Sequence, residues 1–403
     1  MTVVGGTYCE KVLSPEFYEL YGSGLRAATW LSVLDDVRLF TVCYQDSEEL
    51  ARQKAETMGV ELLCKTVTSK VPTFLYKTPI SGAVYYCDDT LPGIEWQNIK
   101  DDVILQFGML EGACKVTGKK VVYDPQSPSR PRVFWGAESC AEELVMIMNY
   151  GEAKSVWGQG ALKEGIQNDF NAHTNIVAIV IKNGPFGATV YTRTGGRHHI
   201  PAFVSDSVFS VGSGDVFSAT FTHFWGIKGD DPVSAATKAS KAVSVYVQSR
   251  GNLVPLTRQL IDGANTIAVP EKKMSDLGGV YLAAPFFNAI DLTAVDEIRT
   301  LFHENGIRVF SPYHDVGIGD SQHVYERDIE GIKNSGIVFA NVCGFDPGTV
   351  YEIGYAAAIG KPVVAYAEGC ERNHLTMLGG GKCRIYTDFT SSFYNAIWTL
   401  MGT

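Results

Sequence analysis

The sequence predicts a two-domain α/β protein, on three observations. The chain has 403 residues, too many for one ordinary core, so two domains are expected. From Met1 to about Val254, short β-branched runs alternate with helical stretches, the rhythm of a mostly parallel sheet covered by helices. That rhythm fails from Pro255 to about Leu277 and restarts after Gly278-Gly279. We therefore expect a first domain over 1–258, a linker over 259–277 and a second, smaller domain over 278–403.

In the first domain, Val37–Tyr44, Val103–Phe107, Lys120–Tyr123 and Ile176–Ile181 are expected as buried strands. Glu48–Met58, Ala141–Met148 and Asp231–Ser249 are expected as helices. Thr66–Tyr86 holds three short β-prone runs separated by turns, and predicts antiparallel strands forming a lid over the sheet edge. The second domain opens on the strand Val280–Ala284, followed by a helix over Leu292–Asn305 that Gly306 ends. Strand Ile307–Phe310, helix Val324–Lys333 and strand Ile337–Val342 come next, then a helix opening at Asp346 and a strand over Val363–Tyr366.

Composition narrows the function classes. Apolar residues make up 45% and charged residues 19%, as in a soluble globular chain. No apolar run approaches ~18 residues, so no membrane span is expected. Met1 leads into Val3-Val4-Gly5-Gly6, which reads as a first strand and not as a signal peptide. Nine cysteines without a CxxC pair argue against zinc and against a disulfide scaffold, and suit a reducing cytoplasm. A net charge of −10 argues against nucleic-acid polymers and leaves small molecules as the expected partners.

Two stretches carry chemistry. The first is Val211–Ala219, where Gly212, Ser213 and Gly214 stand just before a helix and Asp215 follows directly. Glycines at a helix start free backbone N–H groups to face an anion, and an adjacent carboxylate can take a hydroxyl proton. The bland reading is a glycine turn beside a capping aspartate. The second is Asp346–Ala358, in which Asp346 can cap the helix and Pro347 suits its first position. Glu352 lies inside it, and its helical neighbours Gly348, Thr349, Tyr355 and Ala356 offer no positive charge. Glu352 therefore either faces solvent or does chemistry in a pocket, with the helix dipole expected to favour its ionised form.

The first stretch resembles the GAGD-type signature of the ribokinase-like (PfkB) sugar and nucleoside kinases, a three-layer α/β/α fold. Gly22-Ser23-Gly24, Val122–Pro125 and Asn183–Ala188 resemble that family's substrate-side glycine pair, central strand end and nucleotide-side turn. The resemblance implies Asp215 as the base, Gly212, Ser213, Gly214 and Gly187 on the phosphate side, and ATP with Mg²⁺ as cofactors. There are departures. Phe209-Ser210 stand where the family has Asp-Thr, Glu10 is the nearest acidic residue for the substrate, and Arg26 replaces an Asn. Arg26 either contacts a substrate phosphate or carboxylate or faces solvent.

In the second domain, Tyr281–Phe287, Tyr325–Ile329, Asp346–Thr349, Glu352–Ala356 and Gly360-Lys361-Pro362 resemble the nucleoside 2-deoxyribosyltransferases, on a flavodoxin-like or Rossmann-like parallel sheet. That resemblance implies Glu352 as nucleophile, with Asp328, Asp346 and Tyr281 binding or orienting substrate, and no cofactor. It also implies a homo-oligomer in which a segment near Asn373 completes a neighbour's site. His314, Asp315 and His323 fall in the expected base-side loop, with no contact assigned. The combined expectation is an enzyme of nucleoside or nucleotide metabolism that cleaves or transfers an N-glycosidic bond and carries an ATP-dependent kinase domain. The alternative is a non-catalytic kinase-like sensor or oligomerisation domain regulating a nucleotide-depleting glycosidase.

Overall fold

The computed structural model describes residues 1–87, 91, 93–94, 98–112, 114–126, 134–158, 160–249, 251, 267–317, 319–380 and 383–402. It divides into two compact units, Met1–Ala268 and Val269–Thr403. Of the expected linker, residues 259–266 lie outside the described residues, and Met274–Asp276 form one helical turn.

The first unit begins with β1 (Thr2–Val4), β2 (Cys9–Val12), β3 (Phe17–Leu20), β4 (Arg38–Tyr44), β5 (Glu61–Val67), β6 (Thr73–Tyr76) and β7 (Val84–Tyr86). It continues with β8 (Ile99–Phe107), β9 (Val116–Asp124), β10 (Cys140–Asn149), β11 (Ile176–Lys182), β12 (Ala188–Thr192) and β13 (Arg197–Ile200). Its helices are α1 (Gly22–Leu31), α2 (Glu48–Thr57), α3 (Tyr150–Trp157), α4 (Leu162–Ala172), α5 (Ser213–Thr222) and α6 (Pro232–Gln248). Nine strands form one sheet in the order β13-β12-β11-β10-β9-β8-β1-β4-β5. Strands β11 to β13 pair antiparallel and the rest pair parallel. Helices α1, α5 and α6 pack together, while α3 and α4 pack against β10 and β11. The parallel strands run in opposite sequence directions on the two sides of the β1/β8 junction, where an open α/β sheet leaves a crevice at its carboxyl edge.

Two expectations change here. Ala141–Met148 is strand β10 and not a helix. Leu144–Met148 is buried on both faces in the middle of a parallel sheet, and a continuous apolar run carries no period to separate strand from helix. The Thr66–Tyr86 lid is real only in part. Thr66 and Val67 end β5 of the main sheet, whereas β6 and β7 join β2 and β3 in a four-stranded sheet ordered β3-β2-β6-β7. In it β2 and β6 pair parallel, so the lid draws half its strands from the start of the chain.

The second unit is a five-stranded parallel sheet, β14 (Val280–Ala283), β15 (Val309–Phe310), β16 (Ile337–Asn341), β17 (Val363–Tyr366) and β18 (Cys383–Tyr386). Its order, β15-β14-β16-β17-β18, is the flavodoxin-like 2-1-3-4-5 arrangement. The switch point falls between β14 and β16. Tyr281 lies on β14, and the helix Pro347–Ala358 follows β16.

Candidate functional sites

A cavity of about 860 Å³ opens at the carboxyl edge of the main sheet of the first unit, within the size range of ligand sites. Strand ends supply Asp124 from β9, Asn149 from β10 and Lys182 from β11, and the start of α5 with its preceding residue supplies Gly212–Asp215. Asp124 is fully buried. Its Oδ2 accepts from Lys182 Nζ at 2.6 Å and Ser218 Oγ at 2.7 Å, while Oδ1 has no partner. Burial raises its pKa. Burial, and then the neighbouring Asp124 charge, push Glu152 up to about 7. Glu152 and Asn149 form a reciprocal capping box at the start of α3.

The start of α5 is built for close approach. Gly212 takes φ +78°, in the left-handed region, and a Cβ there would lie 2.2 Å from Arg26 Nε. A Cβ on Gly214 would meet Lys182 Nζ at 3.2 Å, so an ammonium group stands beside the N–H groups of the helix start. Gly212→Ala is therefore expected to lower the melting temperature more than Gly214→Ala. Only the first forces a strained φ and a clash with a buried guanidinium, whereas the second displaces the end of a flexible side chain. Differential scanning of both variants checks the order.

Arg26 does not face solvent. Its side chain is buried, donating from Nη1 to Glu10 Oε1 at 2.9 Å and to Asp215 Oδ2 at 2.9 Å, and from Nη2 to Glu10 Oε2. The other oxygen of Asp215 accepts from Gln126 Nε2 at 2.5 Å. Glu10 and Asp215 line the cavity behind this clamp. Gly187 sits at φ +86° where a Cβ would lie 2.1 Å from the Ile200 carbonyl, a close backbone crossing, and Gly184 of the same turn lines the cavity.

In the second unit, Tyr281 Oη donates to Glu352 Oε1 at 2.5 Å across 71 residues of sequence. Asp346 caps the helix, accepting from the Thr349 N–H at 2.7 Å and the Thr349 hydroxyl at 2.9 Å. Asp328 is half-buried on the helix Ser321–Asn334, and its Oδ1 has no partner. Burial raises Asp328 to about 6. Burial, with the nearby charges of Asp328 and Asp346, raises Glu352 to about 8 against the opposing hydrogen bond from Tyr281. Glu352 is the sixth residue of its helix, beyond the first turn where the dipole acts.

Other residues of this unit have plainer positions. His314 bridges Asp296 and the Ser311 hydroxyl, Asp315 accepts from the Ser311 N–H, and Asn373 is exposed on one helical turn, Arg372–Leu375. A cavity of about 330 Å³, lined by Gly279, Arg308, Arg327 and Glu330, lies at the amino ends of the strands, at the other edge of the sheet from Glu352.

Two family models match the chain, one in each unit. The pfkB family carbohydrate kinase model matches residues 110–258 and the nucleoside 2-deoxyribosyltransferase model matches 280–381. Among solved structures, a nucleoside kinase from Methanocaldococcus jannaschii, an archaeal ribokinase-family member, is 13% identical. The match covers 65% of this chain and 97% of that one, with a TM-score of 0.51. The chain joins a ribokinase-like domain to a nucleoside 2-deoxyribosyltransferase-like domain. A ribokinase from Thermotoga maritima matches at 15% identity over 65% and 97% of the two chains, with a TM-score of 0.46. An Arabidopsis thaliana ribokinase, solved with ribose and ATP, matches at 13% identity over 65% and 97%, with a TM-score of 0.49. No curated protein matches the chain.

Several residues of the ribokinase-like cavity escape a sequence reading. Asn149 and Glu152 carry a signal, an Asn followed three residues later by Glu before a helix, but it is masked by the expected helix over Ala141–Met148. Lys182 and Gln126 carry none, because only the fold brings them to the carboxyl edge, whereas Ser23 falls within the Gly22-Ser23-Gly24 motif. No helix among the described residues is long and apolar enough to cross a membrane.

Proposed function

We propose that the deoxyribosyltransferase-like unit breaks or transfers the N-glycosidic bond of a (deoxy)nucleoside or nucleotide, with Glu352 as nucleophile. The observation that carries this reading is the Tyr281–Glu352 hydrogen bond at the sheet's switch point, with Asp328 and Asp346 close enough to shift Glu352. Glu352 forms a bond to the anomeric carbon as the base leaves with the bonding electrons and takes the proton of Asp328. Water or a second base then displaces the carboxylate, as in retaining glycosyl transfer. The test is base release from deoxynucleosides, their monophosphates and NAD, and a folded sample that releases or exchanges none of them ends this reading.

The reacting form has Glu352 ionised and Asp328 protonated. With the two pushed to about 8 and about 6, kcat/KM is expected to peak near pH 7, with limbs that belong to the coupled pair. Tyr281 lowers the Glu352 pKa, so Tyr281→Phe is expected to move the upper limb to higher pH and to lower the maximum. An upper limb that stays or moves down contradicts this assignment. The exposed Asn373 is proposed to complete a neighbouring copy's site, which sedimentation and Asn373→Ala mixing experiments check.

For the ribokinase-like unit we propose phosphoryl transfer from ATP to a hydroxyl, with Asp215 as base. The residues fit the donor. Gly212, Ser213 and Gly214 lack a side-chain cap, Lys182 adds charge beside them, and the unpartnered Asp124 Oδ1 and Glu152 offer oxygens for Mg²⁺. Mg²⁺ would neutralise phosphate charge. A second reading, a ligand sensor without transfer, is favoured by Arg26 and Gln126 holding both oxygens of Asp215. ATP consumption that Asp215→Asn abolishes decides for the kinase, and absence of consumption with bound ligand decides for the sensor.

A further inference from the structure

Strands β4 and β5 pair parallel at one edge of the main sheet, with Thr41 opposite Cys64 and Cys43 opposite Thr66. Paired residues share a face, and alternation puts Cys43 on the face of Cys64. Helix α2 packs on these two strands, and Cys43, Cys64, Ala51, Leu62 and Val71 form one apolar cluster. Both cysteines are free thiols, Cys43 buried at 1% exposure and Cys64 half-buried. The two thiols are hydrogen-bonded to each other. From α2, Arg52 Nη2 donates to the Cys64 sulfur at 3.1 Å, while Nε and Nη2 also donate to Glu48 at 2.9 Å and 2.7 Å. The bond with Cys43 lowers the Cys64 thiol to about 7, with the Arg52 charge assisting and burial opposing, and it raises Cys43. Cys64 is therefore the thiolate of the two, and Cys43 keeps the shared proton.

We propose that Cys64 and Cys43 form a peroxide-reactive dithiol, with Cys64 as the attacking sulfur and Cys43 as the resolving one. A half-buried sulfur held by a guanidinium, with a second thiol in contact, is the arrangement such chemistry needs. The Cys64 thiolate attacks one oxygen of hydrogen peroxide. An S–O bond forms, the O–O bond breaks and hydroxide leaves, giving a sulfenic acid. That hydroxide takes the Cys43 proton and becomes water. The Cys43 sulfur then attacks the Cys64 sulfur, so that the S–S bond forms, the S–O bond breaks and a second hydroxide leaves. The two sulfurs lose two electrons and the peroxide gains them. The disulfide fastens the edge strand β5 to β4 beneath α2. None of these residues lines the ribokinase-like cavity, so the dithiol is separate from phosphoryl transfer and from glycosyl transfer.

The test is brief exposure of the folded full chain to hydrogen peroxide, alkylation of the remaining thiols, digestion without reduction, and mass spectrometry. A peptide pair linked through Cys43 and Cys64 is expected before any oxidation of the exposed Cys87 or Cys140. In Cys43→Ala, dimedone is expected to trap the sulfenic acid on Cys64, more slowly than the disulfide forms in wild type because one donor to the sulfur is gone. The Arg52 side chain is 48% exposed, so Arg52→Met leaves the core intact. That variant is expected to oxidise at Cys64 about threefold more slowly at pH 6, where the lost thiolate outweighs the gain in nucleophilicity. Four results overturn the dithiol. They are Cys87 or Cys140 reacting first, a disulfide between other cysteines, Cys64 oxidised but never joined to Cys43 in wild type, and an unchanged rate in Arg52→Met.

Discussion

At pH 8 and above, the Glu352→Gln chain is expected to be more stable than wild type while having lost base release by roughly a thousandfold or more. The two effects have one cause. Burial and two neighbouring carboxylates raise Glu352 from the ordinary carboxylate range to about 8, so the folded state holds a proton that the unfolded chain gives up near 4.5. The unfolded state binds fewer protons between those values, and stability falls as pH rises through that window. Glutamine does not titrate. The difference between the two chains should be small near pH 4, grow from there to about pH 8 and then level. A full shift would be worth about 5 kcal/mol. Partial exposure and sharing with Asp328 and Asp346 reduce this to about 2 kcal/mol, or roughly 5 °C in the melting transition of this unit. Equal melting temperatures at pH 9, with activity lost, would mean that Glu352 is solvated and its carboxylate costs nothing. Retained activity would remove it as nucleophile.

Arg26→Met is expected to cost the ribokinase-like unit about 3–5 kcal/mol, because it leaves two buried carboxylates facing each other. Glu10 and Asp215 share one guanidinium, and side-chain exposure is 1% for Arg26, 6% for Glu10 and 11% for Asp215. The pair of changes Arg26→Met and Glu10→Gln should recover a substantial part of that loss, since one uncompensated charge is gone. Denaturant melts of the single and double variants measure this non-additivity. A single variant within about 1 kcal/mol of wild type would show that water reaches the clamp. The same substitution bears on function: it frees one oxygen of Asp215, so donor consumption should change only if Asp215 is used as a base.

These two residues also show what sequence conveys and what it withholds. The Glu352 environment is readable in outline. A helix start with Asp-Pro, small residues and an unpaired carboxylate marks the site, and separate motifs bring Tyr281 and Asp328 to mind. Its proton affinity is not readable, because burial and the approach of Asp328 from another helix exist only in the folded sheet. Arg26 and Asp215 lie 189 residues apart, and no local pattern links them. Alone in sequence, Arg26 either meets a substrate anion or faces solvent, and only the fold brings Glu10, Asp215 and Gly212 around it. Strand β10 fails for a different reason: a run buried on both faces has no period. The lid is misread because β2 and β6 are distant in sequence and pair parallel.

The central claim is that Glu352 attacks a sugar carbon. It is tested most directly by mass spectrometry of the chain after reaction with a 2-fluoro-substituted nucleoside, whose electron-withdrawing fluorine slows release of a glycosyl intermediate. The result expected is one fluorosugar adduct, mapped to the peptide carrying Glu352 and absent in Glu352→Gln. Base release from that nucleoside with no adduct, or with an adduct on another residue, would contradict it.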